Sequence, residues 1–158
     1  MANSVTVVRA QGDLTFSGNA ADTEIVTIAG KAYTFQATLT DVDGNVLVGA
    51  DAEESIDHLV AAINLDAAEA GDGYAASMTR NPGVVAEKIS TTVLRVYAVI
   101  PGELGNLIDT TETGGSLAWG APTLGSVSGN TNDRFRALID ENRIQGHVLY
   151  HLYDLTEV

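Results

Sequence analysis

Cysteine is absent from this chain, and basic residues are scarce. The lack of cysteine excludes disulfide bonds, thiolate metal sites and cysteine nucleophiles. Only eight Lys and Arg stand against 21 Asp and Glu, which gives a formal net charge of −13. Such a surface repels phosphate backbones and anionic lipids, because binding to either depends on exposed cations. We therefore expect neither nucleic acid nor a membrane as a partner.

Long apolar runs are also missing from the sequence. No segment approaches the ~18 apolar residues that cross a bilayer, and the first residues lack the pattern of a secretory signal. Synthesis and assembly in a cytoplasm are therefore the expectation. What the chain does contain is a 45% share of apolar residues within 158, which is enough to bury an ordinary core in one domain.

The clearest local pattern is a β-hairpin. Residues 24–28 (EIVTI) lead through Ala29-Gly30 into residues 31–39 (KAYTFQATL), in which Tyr33 and Phe35 share one face. The glycine can adopt the positive φ that a tight two-residue turn requires. Two antiparallel strands are therefore predicted here.

A second turn is predicted at residues 41–45 (DVDGN), where an Asp-Gly hairpin turn leads into a strand at residues 46–48. The acidic and amide side chains of this turn also resemble the first ligands of a calcium loop. Val46 and Ala52 occupy the positions at which such a loop requires Gly and Glu. The turn is therefore the preferred interpretation, with calcium binding as the alternative.

One helix is predicted, over residues 51–66. Asp51 is an N-cap residue, and Glu54 stands three positions later, as in a capping box. A single apolar stripe at helical spacing is formed by Ile56, Leu59, Val60 and Ile63. This stripe predicts that the helix packs against a core.

Later strands are predicted at residues 84–90 and 92–100. The second of these (TVLRVYAVI) is apolar on both faces, which is typical of a central strand. The predicted fold is α+β, an antiparallel sheet or sandwich-like body with one principal helix packed on a face, plus N- and C-terminal arms.

Composition divides the chain into three parts. Residues 1–21 are predicted to form an N-terminal arm with short strands, and residues 22–125 the α+β core module. Residues 126–158 are predicted to form a C-terminal arm with a short helix and a strand. The apolar, tyrosine-rich strand of that arm either completes the sheet or pairs with a neighbouring subunit.

No catalytic motif stands out, so we expect neither enzymatic activity nor a cofactor. His147 and His151 are four residues apart with Asp154 beyond them, a spacing that suits a metal if the segment is helical. Their apolar neighbours favour a strand instead, so no metal site is predicted.

Trp119, the only tryptophan, is interpreted as an anchor in the core or at an interface, with a sugar-stacking platform as the alternative. It belongs to a predicted set of apolar partner-binding residues that lie in or near the arms. The set comprises Val5, Val7, Phe16, Trp119, Phe135, Leu149, Tyr150 and Tyr153.

The order of several segments resembles a module of virion structural proteins of tailed bacteriophages. The segments are residues 23–35 (TEIVTIAGKAYTF), 46–50 (VLVGA), 56–64 (IDHLVAAIN), 101–113 (PGELGNLIDTTET) and 119–124 (WGAPTL). No single segment is diagnostic, but together they span about residues 22–125.

The resemblance implies a non-enzymatic virion component that is assembled in the cytoplasm of a bacterial host. The leading hypothesis is a capsid decoration, or cement, protein that stabilises the outer shell through its terminal arms. Its partners would be the major capsid protein, other copies of itself, or both, and a homotrimer would suit a quasi-threefold site. The alternative is a tail, baseplate or fibre module that contacts other tail proteins or host glycans.

Overall fold

The computed structural model describes residues 8–125, which contain eight strands, one α-helix and one short 3-10 helix. The strands form two four-stranded sheets. Sheet A contains, in spatial order, β5 (Val84–Ser90), β6 (Val93–Ala98), β1 (Gln11–Phe16) and β8 (Leu117–Trp119). Sheet B contains β4 (Asn45–Leu47), β3 (Lys31–Gln36), β2 (Ile25–Ile28) and β7 (Thr110–Glu112).

A single core joins the two sheets. Buried residues alternate with more exposed ones along β1, β3 and β6, as expected for strands with one face on the core. Phe16 of sheet A meets Phe35 of sheet B edge to face, with ring centroids 6.2 Å apart. The predicted α+β fold with a sandwich-like body is therefore confirmed.

Strand β1 is an inner strand of sheet A, which corrects the expectation that residues 1–21 form an arm. It pairs in antiparallel fashion with β6 on one side and with β8 on the other, and Leu14 is opposite both Leu94 and Trp119. Its apolar residues needed partners from far along the chain, and the local sequence does not identify those partners. Residues 8–10, which belong to the predicted arm with short strands, have no regular secondary structure.

The hairpin predicted around Ala29-Gly30 is formed by β2 and β3. Both turn residues have positive φ, 52° for Ala29 and 78° for Gly30, as in a two-residue turn whose twist matches the strands. Tyr33 and Phe35 are fully buried, as predicted from their shared face.

Strand β4 corrects the second hairpin prediction, because it runs parallel to β3. Residues 37–44 carry the chain back to the start of the pairing, where the Gly44 carbonyl accepts a hydrogen bond from Thr34 N at 2.8 Å. Gly44 has a φ of 95°, and a Cβ there would lie 2.6 Å from the Ala32 carbonyl oxygen. The Asp-Gly pair therefore lies in a loop that is wider than the predicted hairpin turn.

Helix α1 (Ala52–Asn64) confirms the predicted helix and its cap. The Asp51 carboxylate accepts a hydrogen bond from Glu54 N at 3.0 Å, and the Glu54 carboxylate accepts one from Ala50 N. The predicted stripe is buried except for Val60, which is partly buried. No helix within residues 8–125 is long and apolar enough to cross a membrane.

The helix packs on the sheets as predicted, and it contacts β4 and β5, which are edge strands, and the inner strand β6. Its last residue also protects the edge of β5. The Asn64 amide donates to the Ala86 carbonyl at 2.8 Å and accepts from Ala86 N at 2.9 Å. These two bonds occupy backbone groups that would otherwise be open to pairing with another strand.

The opposite side of the two sheets is closed by residues 119–125. Thr110 N donates to the Pro122 carbonyl at 2.9 Å, and Leu124 N donates to the Ile108 carbonyl at 3.0 Å. Where β7 and β8 diverge, the Trp119 indole N–H donates to the Thr111 carbonyl at 3.2 Å.

Candidate functional site

The structure describes two of the predicted partner-binding residues. The prediction that Phe16 binds a partner is wrong, because this side chain is only 1% exposed and fills the core of its own chain. The alternation along β1 identified its face correctly, but that face is covered by sheet B and not by another molecule. Trp119 is half-buried and offers part of its ring to solvent. The other predictions lie outside the described residues: Val5, Val7, Phe135, Leu149, Tyr150 and Tyr153.

A group of exposed apolar side chains lies at one end of sheet A, and we call it the apolar end surface. Its members are Val8, Val99, Ile100, Leu104 and Leu107. Ile100, Leu104 and Leu107 are 62%, 69% and 73% exposed. Contiguous apolar exposure on a soluble protein is typical of a surface that contacts another molecule.

The 3-10 helix Glu103–Leu107 builds the centre of this surface. Leu104 and Leu107 are three residues apart, and side chains at that spacing lie one above the other in a 3-10 helix. Gly105 is buried against sheet A, where an added Cβ would lie 2.7 Å from the Ala10 Cβ and 2.8 Å from the Ala98 Cβ. This close approach holds the helix on the sheet while both leucines remain in solvent.

The remaining members lie next to this helix because of the neighbouring backbone hydrogen bonds. Ala98 N donates to the Ala10 carbonyl at 2.8 Å, and Gly102 N donates to the Val8 carbonyl at 3.2 Å. The segment 8–10 and the end of β6 are thereby held side by side.

The first residue of β1 also meets residue 125 here. Gln11 and Gly125 exchange two backbone hydrogen bonds of 2.8 Å, and Val8 is three residues before Gln11.

The outward face of sheet A carries an ion pair between two strands. Arg95 donates to both carboxylate oxygens of Asp13, with distances of 2.6 and 2.8 Å. The Arg95 guanidinium holds the pKa of Asp13 below its ordinary value, and Asp13 in turn raises the pKa of Arg95. The pair links β1 to β6 at the point where the two residues are opposite each other.

The possible calcium ligands of the 41–45 turn have protein partners instead. The Asp41 carboxylate accepts from Ser77 N at 2.7 Å. The Asp43 carboxylate accepts from Lys31 Nζ at 2.7 Å and from both the backbone N and the hydroxyl of Thr79. Within residues 8–125, no group of three or more acidic or histidine side chains is arranged to hold a metal ion. The two carboxylates therefore fasten this loop to residues 77–79.

We expect Asp43→Asn to lower stability in a pH-dependent way. Hydrogen bonds from Lys31 and Thr79 lower the pKa of Asp43 from 3.8 to about 2. The folded protein thus keeps this charge at a lower pH than the unfolded chain, so the stabilisation is complete above about pH 4 and is lost as the pH falls towards 2. Because Asp43 is exposed, we expect a loss of about 1 kcal/mol or less at pH 7.

Urea unfolding of both proteins between pH 7 and pH 2 measures this effect. The difference between them should shrink towards zero across the acid range. Asp72→Asn is the matched control, because Asp72 is exposed and its carboxylate forms no hydrogen bond within the described part of the chain. A difference that stays constant with pH would contradict the assignment.

The sequence interpretation missed the apolar end surface. Leu104 and Leu107 are not in the set of partner-binding residues predicted from the sequence. The sequence does show that Leu104 and Leu107 are three residues apart in a segment with few other apolar residues. Their exposure depends on Gly105 contacting Ala10, a residue almost a hundred positions earlier.

No protein-family model matches the chain, and no curated protein is similar to it in sequence.

Proposed function

We propose that this chain is a non-enzymatic structural protein of a tailed-phage virion, a decoration protein that binds the outer shell through the apolar end surface. The observation that carries the proposal is the exposure of Leu104 and Leu107 at the centre of the apolar end surface. The order of segments that resembles phage structural modules supports the setting.

The free energy available from this surface suits attachment in many copies. Fully burying one Val, Leu or Ile side chain contributes about 1.5–3 kcal/mol, and the members of the surface are only partly exposed. Association costs about 4–15 kcal/mol in lost translational and rotational freedom. The surface alone therefore supports weak binding, to which the attached residues 1–7 and 126–158 would add further contacts at high effective concentration.

Charge favours the shell protein over another copy as the occupant of this surface. Every copy carries a net charge of −13, so two copies repel each other as they approach. A shell protein is a different chain that need not carry the same negative charge, so this repulsion does not have to arise with it. We therefore assign the apolar end surface to the major shell protein and leave contacts between copies to other surfaces.

Binding to purified, expanded phage shells tests the proposal. The wild-type protein should cosediment with shells and raise their melting temperature. The double variant Leu104→Asp and Leu107→Asp should reduce binding at least tenfold, because it places two charges in the contact. Val42→Asp is the matched control, since Val42 is 58% exposed but lies in the loop between β3 and β4.

Circular dichroism of all three proteins should show the same fold. Shells that ignore the wild-type protein would overturn the decoration role, and binding to isolated tails instead would favour a tail, baseplate or fibre location. Equal loss of binding in the Val42 variant would contradict the assignment of shell binding to the apolar end surface.

A further inference from the structure

A shallow depression lies between β7 and the chain that follows β8, on the side of the sheets closed by Trp119. It has a volume of about 370 Å³, and Trp119, Thr111 and Glu112 line one part of it. Gly120, Ala121 and Pro122 line the other part. This volume is within the range of about 300–1,000 Å³ that is usual for small-ligand sites.

The part of the Trp119 ring that lines the depression is free to make a contact. One edge of the indole packs near Gly12, where an added Cβ would lie 3.6 Å from the ring, and the N–H is used by the Thr111 carbonyl. Trp119 is nevertheless only half-buried. An aromatic ring that is fixed along one edge and partly exposed offers a flat apolar platform of low conformational entropy.

The carboxylate beside this platform is open to a ligand. Glu112 is half-buried, and its carboxylate forms no hydrogen bond or ion pair within residues 8–125. The Thr111 side chain points to the other face of β7, because Glu112 is opposite the buried Val26 and Thr111 is opposite Thr27. A carboxylate only accepts hydrogen bonds, so it suits a ligand that presents hydroxyl groups.

A second depression of about 370 Å³ begins at two of the same residues, Gly120 and Ala121, and is lined by Gln11 and Asp13. Asp13 points to the outward face of sheet A, where Arg95 binds its carboxylate. Trp119 is opposite Leu14, the next residue along β1, so its ring belongs to the other face. The aromatic platform therefore belongs to the first depression alone.

We propose that the depression beside Trp119 binds a neutral oligosaccharide, with one sugar ring stacked on Trp119 and its hydroxyl groups hydrogen-bonded to Glu112. Acidic glycans are excluded because the site holds a carboxylate on a chain with a net charge of −13. The site is separate from the apolar end surface and does not depend on shell binding.

Fluorescence titration of the full chain tests the proposal directly. Since Trp119 is the only tryptophan, its emission reports this site alone. The probes are neutral oligosaccharides of glucose, galactose, mannose and N-acetylglucosamine. At least one should shift the emission to shorter wavelength with a saturable dissociation constant between about 10 µM and 1 mM, as expected for a ligand of this size.

Variants separate a ligand contact from a structural role of Trp119. Glu112→Gln should weaken the binding about tenfold while leaving the unfolding temperature unchanged, because a charge-assisted hydrogen bond becomes a neutral one. Glu103→Gln, which changes a half-buried acid that does not line the depression, should bind as the wild type does. No emission change with any probe up to about 10 mM, or equal affinity in the wild type and the Glu112 variant, would overturn the proposal.

Discussion

Replacing Phe16 by Ala should lower the free energy of unfolding by about 3–5 kcal/mol, the usual cost of deleting a buried phenylalanine ring. The ring is 1% exposed and contacts Phe35 across the two sheets, so its removal leaves a cavity at the centre of the core. For a domain of this size the loss corresponds to a fall of about 6–20 °C in the unfolding temperature. Thermal unfolding followed by circular dichroism measures it.

Leu104→Ala provides the comparison for this variant. Leu104 is 69% exposed, so its truncation should change the free energy of unfolding by no more than about 0.5 kcal/mol. The Phe16 variant should therefore lose stability whereas the Leu104 variant should not, since Phe16 packs in the core and Leu104 is assigned to a contact with another molecule. A stable Phe16→Ala protein that loses only shell binding would restore Phe16 as a partner-binding residue.

Glu24→Gln should lower the free energy of unfolding by about 2–3 kcal/mol, although the change conserves shape. Glu24 is 7% exposed, and its carboxylate accepts from Ala21 N at 2.9 Å, Gly115 N at 3.2 Å, and the backbone N and hydroxyl of Ser116 at 3.4 and 3.3 Å. A Gln side chain has one acceptor oxygen, so its NH₂ group must face at least one of these donors. Hydrogen bonds to charged groups contribute about 1.5–3 kcal/mol each, and a buried donor left without a partner costs a similar amount.

Equilibrium unfolding in urea measures the effect of the Glu24 change. Glu103→Gln serves as the control because the Glu103 side chain forms no hydrogen bond within residues 8–125. Its stability should stay within about 0.5 kcal/mol of the wild type. Equal stability of the Glu24 variant and the wild type would show that the carboxylate is not needed to join the start of β2 to the loop before β8.

The elements that could be predicted from the sequence are those whose determining residues lie close together in the chain. Ala29-Gly30 supplies the two positive φ angles of its turn, and Asp51 supplies the cap of α1 within three residues of its partner. Both patterns are complete within a short window, so neither depends on the rest of the chain. The predicted hairpin and helix were correct for this reason.

The errors arose where a residue's partner is distant in the sequence. Leu14 pairs with Trp119, and nothing near Leu14 indicates that β1 will lie between two later strands. Alternation therefore identified the buried face of β1 without showing what covers it. Glu24 gave no signal at all, because its four donors come from residues 21 and 115–116 and an isolated acid is ordinary in so acidic a chain.

The position of β1 between β6 and β8 has a consequence during synthesis. Translation proceeds at about 5–20 residues per second, so β1 leaves the ribosome several seconds before Leu117–Trp119 is made. Sheet B can begin from the hairpin of β2 and β3, whereas the nascent β1 must wait with its apolar face uncovered. A chain truncated before β8 would therefore leave one edge of β1 unpaired and open to chaperones and proteases.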